Sequence, residues 1–321
     1  MFRMFFLIIA FALFPNSAYA ANDYSIWSYG LNSNLTDQDG VDKFAQRLDD
    51  LEARNVQTLV TDYKSFNLLI DAGLDIDYYI LVNGNRTFLF PENATGSICD
   101  LGTSKYVCLY RYVQEHGNKI KGFIFNEPFV VGSNQPVPMT ASGVENVANY
   151  YKTMMINTGF AEPEIVVIYS SLTGPGAGSH AIAPNLTDSN LAPLSSVDTI
   201  GIDPYVKFAT NLTIANRAQL ASQVQHAADK AQLYGKNLFL VLQGHKVNKG
   251  AAIPGPDYVI PTAPEMCEMV EIADGIAKQY SWGKEVRFNF YRWRLFKEWT
   301  KNVATNTEAI CANLGYTIGD N

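Results

Sequence analysis

Gly122-Phe-Ile-Phe-Asn-Glu-Pro128 is the stretch on which the reading of this chain turns. A short apolar run stops abruptly in an amide, a carboxylate and a proline. Such a run reads as a buried strand whose polar residues emerge as it reaches the surface. A turn or a helix N-terminus could hold the same Asn-Glu-Pro, because a tripeptide carries little information by itself. The flanking segments have to decide.

They repeat the pattern. Upstream, Tyr24–Gly30, Gln57–Asp62 and Ile76–Val82 read as strands. After the first, Val41, Phe44, Ala45, Leu48 and Leu51 fall at helical spacing. A short helix ending at Gly73 follows the second, and a helix over 104–116 follows the third. The run itself gives a fourth strand, Ile120–Phe125. Ser142-Gly-Val-Glu145 then reads as a capping box opening a helix that ends at Gly159. Downstream come strands at Ile165–Tyr169, Asp198–Ile202, Leu238–Leu242 and Val286–Phe290. Helices are expected at Ile214–Tyr234, Pro264–Tyr280 and Leu295–Leu314. Apolar strands alternating with helices imply a parallel sheet, and a count of eight favours closure over an open doubly wound sheet. The expected fold is therefore α/β, a single (β/α)8 TIM barrel over residues 21–321. Its long loops, 84–103, 171–197 and 243–263, all follow strands, so they share the C-terminal rim, where such folds keep their active sites.

Residues 1–20 read as a cleavable signal peptide, with Arg3, an apolar core over 5–14, and Ala18-Tyr19-Ala20 at the cleavage site. The expected protein is secreted or periplasmic, with no membrane span. Its net charge of −7 becomes −8 once Arg3 is removed, which disfavours nucleic acid as a partner. No Gly-x-Gly-x-x-Gly follows the first strand, no Cys/His group has zinc spacing, and no cofactor or metal is expected. A monomer is expected. In an exported chain the four cysteines favour disulfides. Among the possible pairings, Cys99–Cys108 staples a loop to the helix after it. Cys267–Cys311 then joins the last two helices.

The residues at which strands finish would converge in a barrel. They include Tyr29, Asp62, Asn126, Glu127, Tyr169, Asp203, Tyr205, Gln243, His245, Tyr291 and Trp293. Aromatic faces with carboxylates and amides between them suit a polyhydroxylated ring, so the expected ligand is a carbohydrate. Each has a plainer alternative: an aromatic can be core, Glu127 can pair with Arg292 or Lys121, and Asp203 can cap its own Asp-Pro-Tyr turn.

On these residues the chain resembles the superfamily of retaining (β/α)8 glycoside hydrolases. Asn126-Glu127-Pro128 is similar to their fourth-strand Asn-Glu-Pro, Ile200–Tyr205 to their sixth-strand segment, and Tyr291-Arg292-Trp293 to their eighth-strand end. The resemblance implies that Glu127 is the acid/base and that Asn126 binds a sugar 2-hydroxyl. It also implies that Tyr205 supports a nucleophile and that an aromatic of the last strand floors the subsite. It identifies no single family.

The chain departs from that pattern at strand seven, where Leu240-Val-Leu-Gln-Gly-His245 carries Gln243 in place of the nucleophilic glutamate. A retaining displacement needs a second carboxylate at ~5–5.5 Å, and an amide oxygen is a far poorer nucleophile. Three readings follow. The substrate supplies its own nucleophile; or Asp203 or Asp62 acts as a base in an inverting scheme; or the barrel binds glycan without cleaving it. The chitinase-like pattern of an Asp two residues before the acid is missing, since Phe125 stands there. A serine esterase is weaker still, because no Gly-x-Ser-x-Gly surrounds Ser170 and Ser171.

Overall fold

The computed structural model of the chain describes residues 24–27, 58–62, 66, 70, 77–83, 109–129, 138–169, 185–204, 212–243, 263–280 and 286–291. Its strands are β1 (Tyr24–Trp27), β2 (Thr58–Asp62), β3 (Asp77–Asn83), β4 (Ile120–Asn126), β5 (Glu164–Tyr169), β6 (Thr199–Ile202), β7 (Asn237–Gln243) and β8 (Val286–Tyr291). Each pairs in parallel with the next, and β8 pairs in parallel with β1, so the strands form one closed sheet. The helices are α1 (Leu109–His116), α2 (Ala141–Asn157), the single turn α3 (Asp188–Leu191), α4 (Ile214–Tyr234) and α5 (Ala263–Ala277). Strand–helix alternation is thus described from β3 to β7. The helices expected after β1 and β8 lie outside the described residues, and after β2 only Phe66 and Ile70 are described, both helical.

Period-two alternation divides the apolar side chains into two layers. Phe123 and Phe125 of β4, Ile165, Val167 and Tyr169 of β5, and Leu238, Leu240 and Leu242 of β7 join the helices in one buried cluster. Ile124, Val166, Ile168, Phe239 and Val241, with Val60, Tyr79 and Leu81, form a second cluster made only of strand residues. The second fills the inside of the sheet. The first glues the helices to its outside. Space inside is tight. A Cβ on Gly201 would stand 2.9 Å from the Phe239 carbonyl oxygen, and one on Gly122 would collide with the Glu164 carbonyl.

The start of α2 corrects one expectation. Thr140, not Ser142, is the N-cap, and its side chain accepts from the Gly143 N–H. Glu145 does not close a capping box but reaches another segment. Its carboxylate accepts from the Ser195 hydroxyl at 2.5 Å, and from the Ser196 N–H at 3.0 Å and hydroxyl at 2.8 Å. A capping box does occur at α4, between Thr213 and Asn216. That helix stops at Gly235 in the left-handed region, as a helix-ending glycine does. Among the described residues no helix is long and apolar enough to cross a membrane.

Candidate functional site

β4 delivers the Asn-Glu-Pro. Asn126 is its last residue, half-buried, and lies in register with Asn83 at the end of β3 and with Ile168 of β5. It continues the alternation that places Ile124 in the inner cluster. Glu127 comes next and breaks the strand. Its φ is +50°, and it is the one non-glycine residue with positive φ among the described residues. Its N–H still donates to the Ile168 carbonyl at 2.9 Å, one step beyond the strand. An extended residue there would have followed Phe125 toward the helices. The left-handed conformation takes Glu127 out of that alternation and leaves it half-buried.

β6 delivers Asp203. Thr199 and Gly201 occupy alternate positions of that strand, and Asp203 follows two residues later, only 6 % exposed. Ile168, which receives the Glu127 N–H, is in register with Gly201. β5 therefore separates the two carboxylate-bearing strand ends and binds backbone from both.

The remaining candidates divide by position. Asp62, Gln243 and Tyr291 are the last residues of β2, β7 and β8, and Gln243 and Tyr291 are in register with each other. Tyr29, Tyr205, His245 and Trp293 lie outside the described residues. Tyr169, expected among the sugar-facing aromatics, ends β5 but is 1 % exposed and belongs to the outer cluster. Its ring stacks on Phe129, with centroids 5.4 Å apart at 18°. Its buried hydroxyl has no hydrogen-bond partner among the described residues, and burial pushes its pKa well up. Of the cysteines, Cys267 is fully buried on α5 and is not a free thiol. Cys99, Cys108 and Cys311 lie outside the described residues.

Sequence reading missed a carboxylate. Glu164 opens β5 at the end of the sheet opposite Glu127. It accepts from the Tyr79 hydroxyl at 2.5 Å and from the Thr199 hydroxyl, which ties β3, β5 and β6 together. No local sequence signal marks it; in the structure its register partner is Gly122, whose missing side chain makes room for the Tyr79 ring.

No protein-family profile and no curated protein sequence matches the chain. Solved structures share its fold. A candidate alpha-L-fucosidase from Bacteroides thetaiotaomicron VPI-5482 superposes with a TM-score of 0.52 at 10% identity, over 92% of this chain and 98% of that one. The cellulose synthase subunit Z from Clostridioides difficile does so with a TM-score of 0.50 at 12% identity, over 91% and 99%. At such identities the likeness is one of fold.

Proposed function

We propose that the mature chain is a complete (β/α)8 barrel, exported, with the glycoside hydrolase-like task of acting on a carbohydrate. Glu127 is its general acid and Asp203 the second carboxylate. The observation that carries this reading is the pair of strand ends. Both carboxylates close strands of one sheet with a single strand between them. Neighbouring strands lie ~4.8 Å apart, so the two backbones are roughly 10 Å apart. Side chains leaning toward each other from that spacing can bring the carboxyls into the ~6.5–9.5 Å range of an inverting pair, which leaves room for a water. Glu127 protonates the leaving oxygen, while Asp203 takes a proton from the water attacking the opposite face. Asn126, Tyr205, Gln243, His245, Tyr291 and Trp293 hold the sugar. Gln243 donates and accepts hydrogen bonds there without forming a covalent intermediate. The pairs Cys99–Cys108 and Cys267–Cys311 belong to the same proposal.

Incubation of the mature protein with a broad glycan panel, followed by NMR of the first-formed anomer, tests the reading. Inverted product that disappears in Glu127→Gln supports it, and retained product moves the second carboxylate elsewhere. The competing reading is a barrel that binds glycan without cleaving it, favoured by Gln243 itself. Binding of a glycan with no turnover would establish that one instead.

A further inference from the structure

The turn that carries Glu127 is held from three sides. Its N–H donates to the Ile168 carbonyl at 2.9 Å, and the Met139 N–H donates to the Pro128 carbonyl at 2.8 Å. The third hold is a ring. Phe129, two residues past Glu127, stacks at 5.4 Å on Tyr169, the residue after Ile168. Both rings are buried in the layer outside the sheet. Backbone preference works against this turn. A residue before proline is steered toward extended conformations, whereas Glu127 sits at φ +50°. Such a conformation persists only where its surroundings over-determine it.

We infer that Tyr169 and Phe129 are positioning residues, a stacked pair behind the sheet that holds the Glu127 peptide in its left-handed turn. The inference rests on Glu127 being the working acid. It assigns Tyr169 to the support of that acid and not to the sugar. The ring acts, since the hydroxyl has no hydrogen-bond partner among the described residues. Loss of stacking should let the turn relax toward extended backbone, returning Glu127 to the outward alternation of Phe125. Substrate contacts made by other strand ends would survive, so kcat falls and KM does not.

The test compares the mature wild type with Phe129→Leu, Tyr169→Leu and Tyr169→Phe. Two readouts are taken: kinetics on the best-cleaved member of the glycan panel, and hydrogen exchange at the Glu127 amide. Both leucine variants should lower kcat at least tenfold with KM within threefold, and should speed exchange at Glu127. Tyr169→Phe, which keeps the ring, should recover both properties. Should a leucine variant fail to fold, Phe129→Met removes the stack at similar volume and serves in its place. The proposal is overturned by leucine or methionine variants that keep both kcat and slow exchange. It is also overturned if Tyr169→Phe is as damaged as Tyr169→Leu. A wild type that cleaves nothing sinks the catalytic reading alone, and the exchange rates then decide the positioning claim.

Discussion

The N–H of Glu127 donates to the carbonyl of Ile168 at 2.9 Å although β4 has already ended at Asn126. That bond fastens the candidate acid to the neighbouring strand while its own backbone turns left-handed at φ +50°. An anchored peptide fixes the direction in which its side chain leaves the backbone, which a loop carboxylate lacks. A fixed direction is what a general acid needs, because proton transfer depends on sub-ångström placement of the oxygen.

Strain at Glu127 has a thermodynamic signature. Glycine occupies the left-handed region without a Cβ clash, whereas alanine does not. Glu127→Gly is expected to be more stable than Glu127→Ala by about 1 kcal/mol, read from urea unfolding midpoints. Equal stability would mean that the turn relaxes freely.

At the other end of the sheet, Tyr79 and Thr199 both donate to Glu164. Removing either donor leaves a part-buried carboxylate short of a hydrogen bond. Tyr79→Phe and Thr199→Val should each lower unfolding free energy by about 1–3 kcal/mol. Neither change should alter turnover, because this end of the sheet lies away from the candidate site.

Gly122 has no room for a side chain. An added Cβ would collide with the Glu164 carbonyl and stand 2.8 Å from a Tyr79 ring carbon. Gly122→Ala should cost about 1–3 kcal/mol through overpacking, seen as a lower Tm.

Glu145 predicts a pH dependence. Partial burial raises its pKa, but hydrogen bonds from Ser195 and Ser196 outweigh that and hold it below the usual glutamate range. A depressed carboxylate contributes stability above its unfolded value and loses it as the pH falls through the folded one. The stability gap between wild type and Glu145→Ala should therefore be full near neutrality. Below the ordinary glutamate range it should shrink, which unfolding curves across acidic pH would record.

Much of the fold was legible because its signals were local. Helix α4 was read at both ends, Ile214 and Tyr234, where Thr213 caps it and Gly235 stops it. Strand β4 runs one residue past its apolar run, since Asn126 is polar yet its backbone still pairs with Asn83. The misread cap at α2 has a different origin. Ser142–Glu145 has the spacing of a capping box, but Ser195 and Ser196, distant in sequence, claim the glutamate. Tyr169 departs from its sequence expectation for a related reason. A strand-final aromatic looks like a platform, and only the alternation through Val167 shows that it shares the outer layer. Glu164 is silent in the sequence because no local pattern marks a carboxylate whose partners, Tyr79 and Thr199, come from two other strands. The positive φ of Glu127 was likewise invisible, as Glu-Pro favours the opposite conformation.

The most direct test is the initial rate of glycan hydrolysis by residues 21–321 of the chain beside Glu127→Gln and Asp203→Asn. Each variant removes one carboxylate at nearly constant shape. Wild-type turnover that falls by at least about a hundredfold in both variants is the result expected of an acid and base pair. Undiminished turnover in Glu127→Gln, or a glycan bound by wild type and never cleaved, would contradict the account.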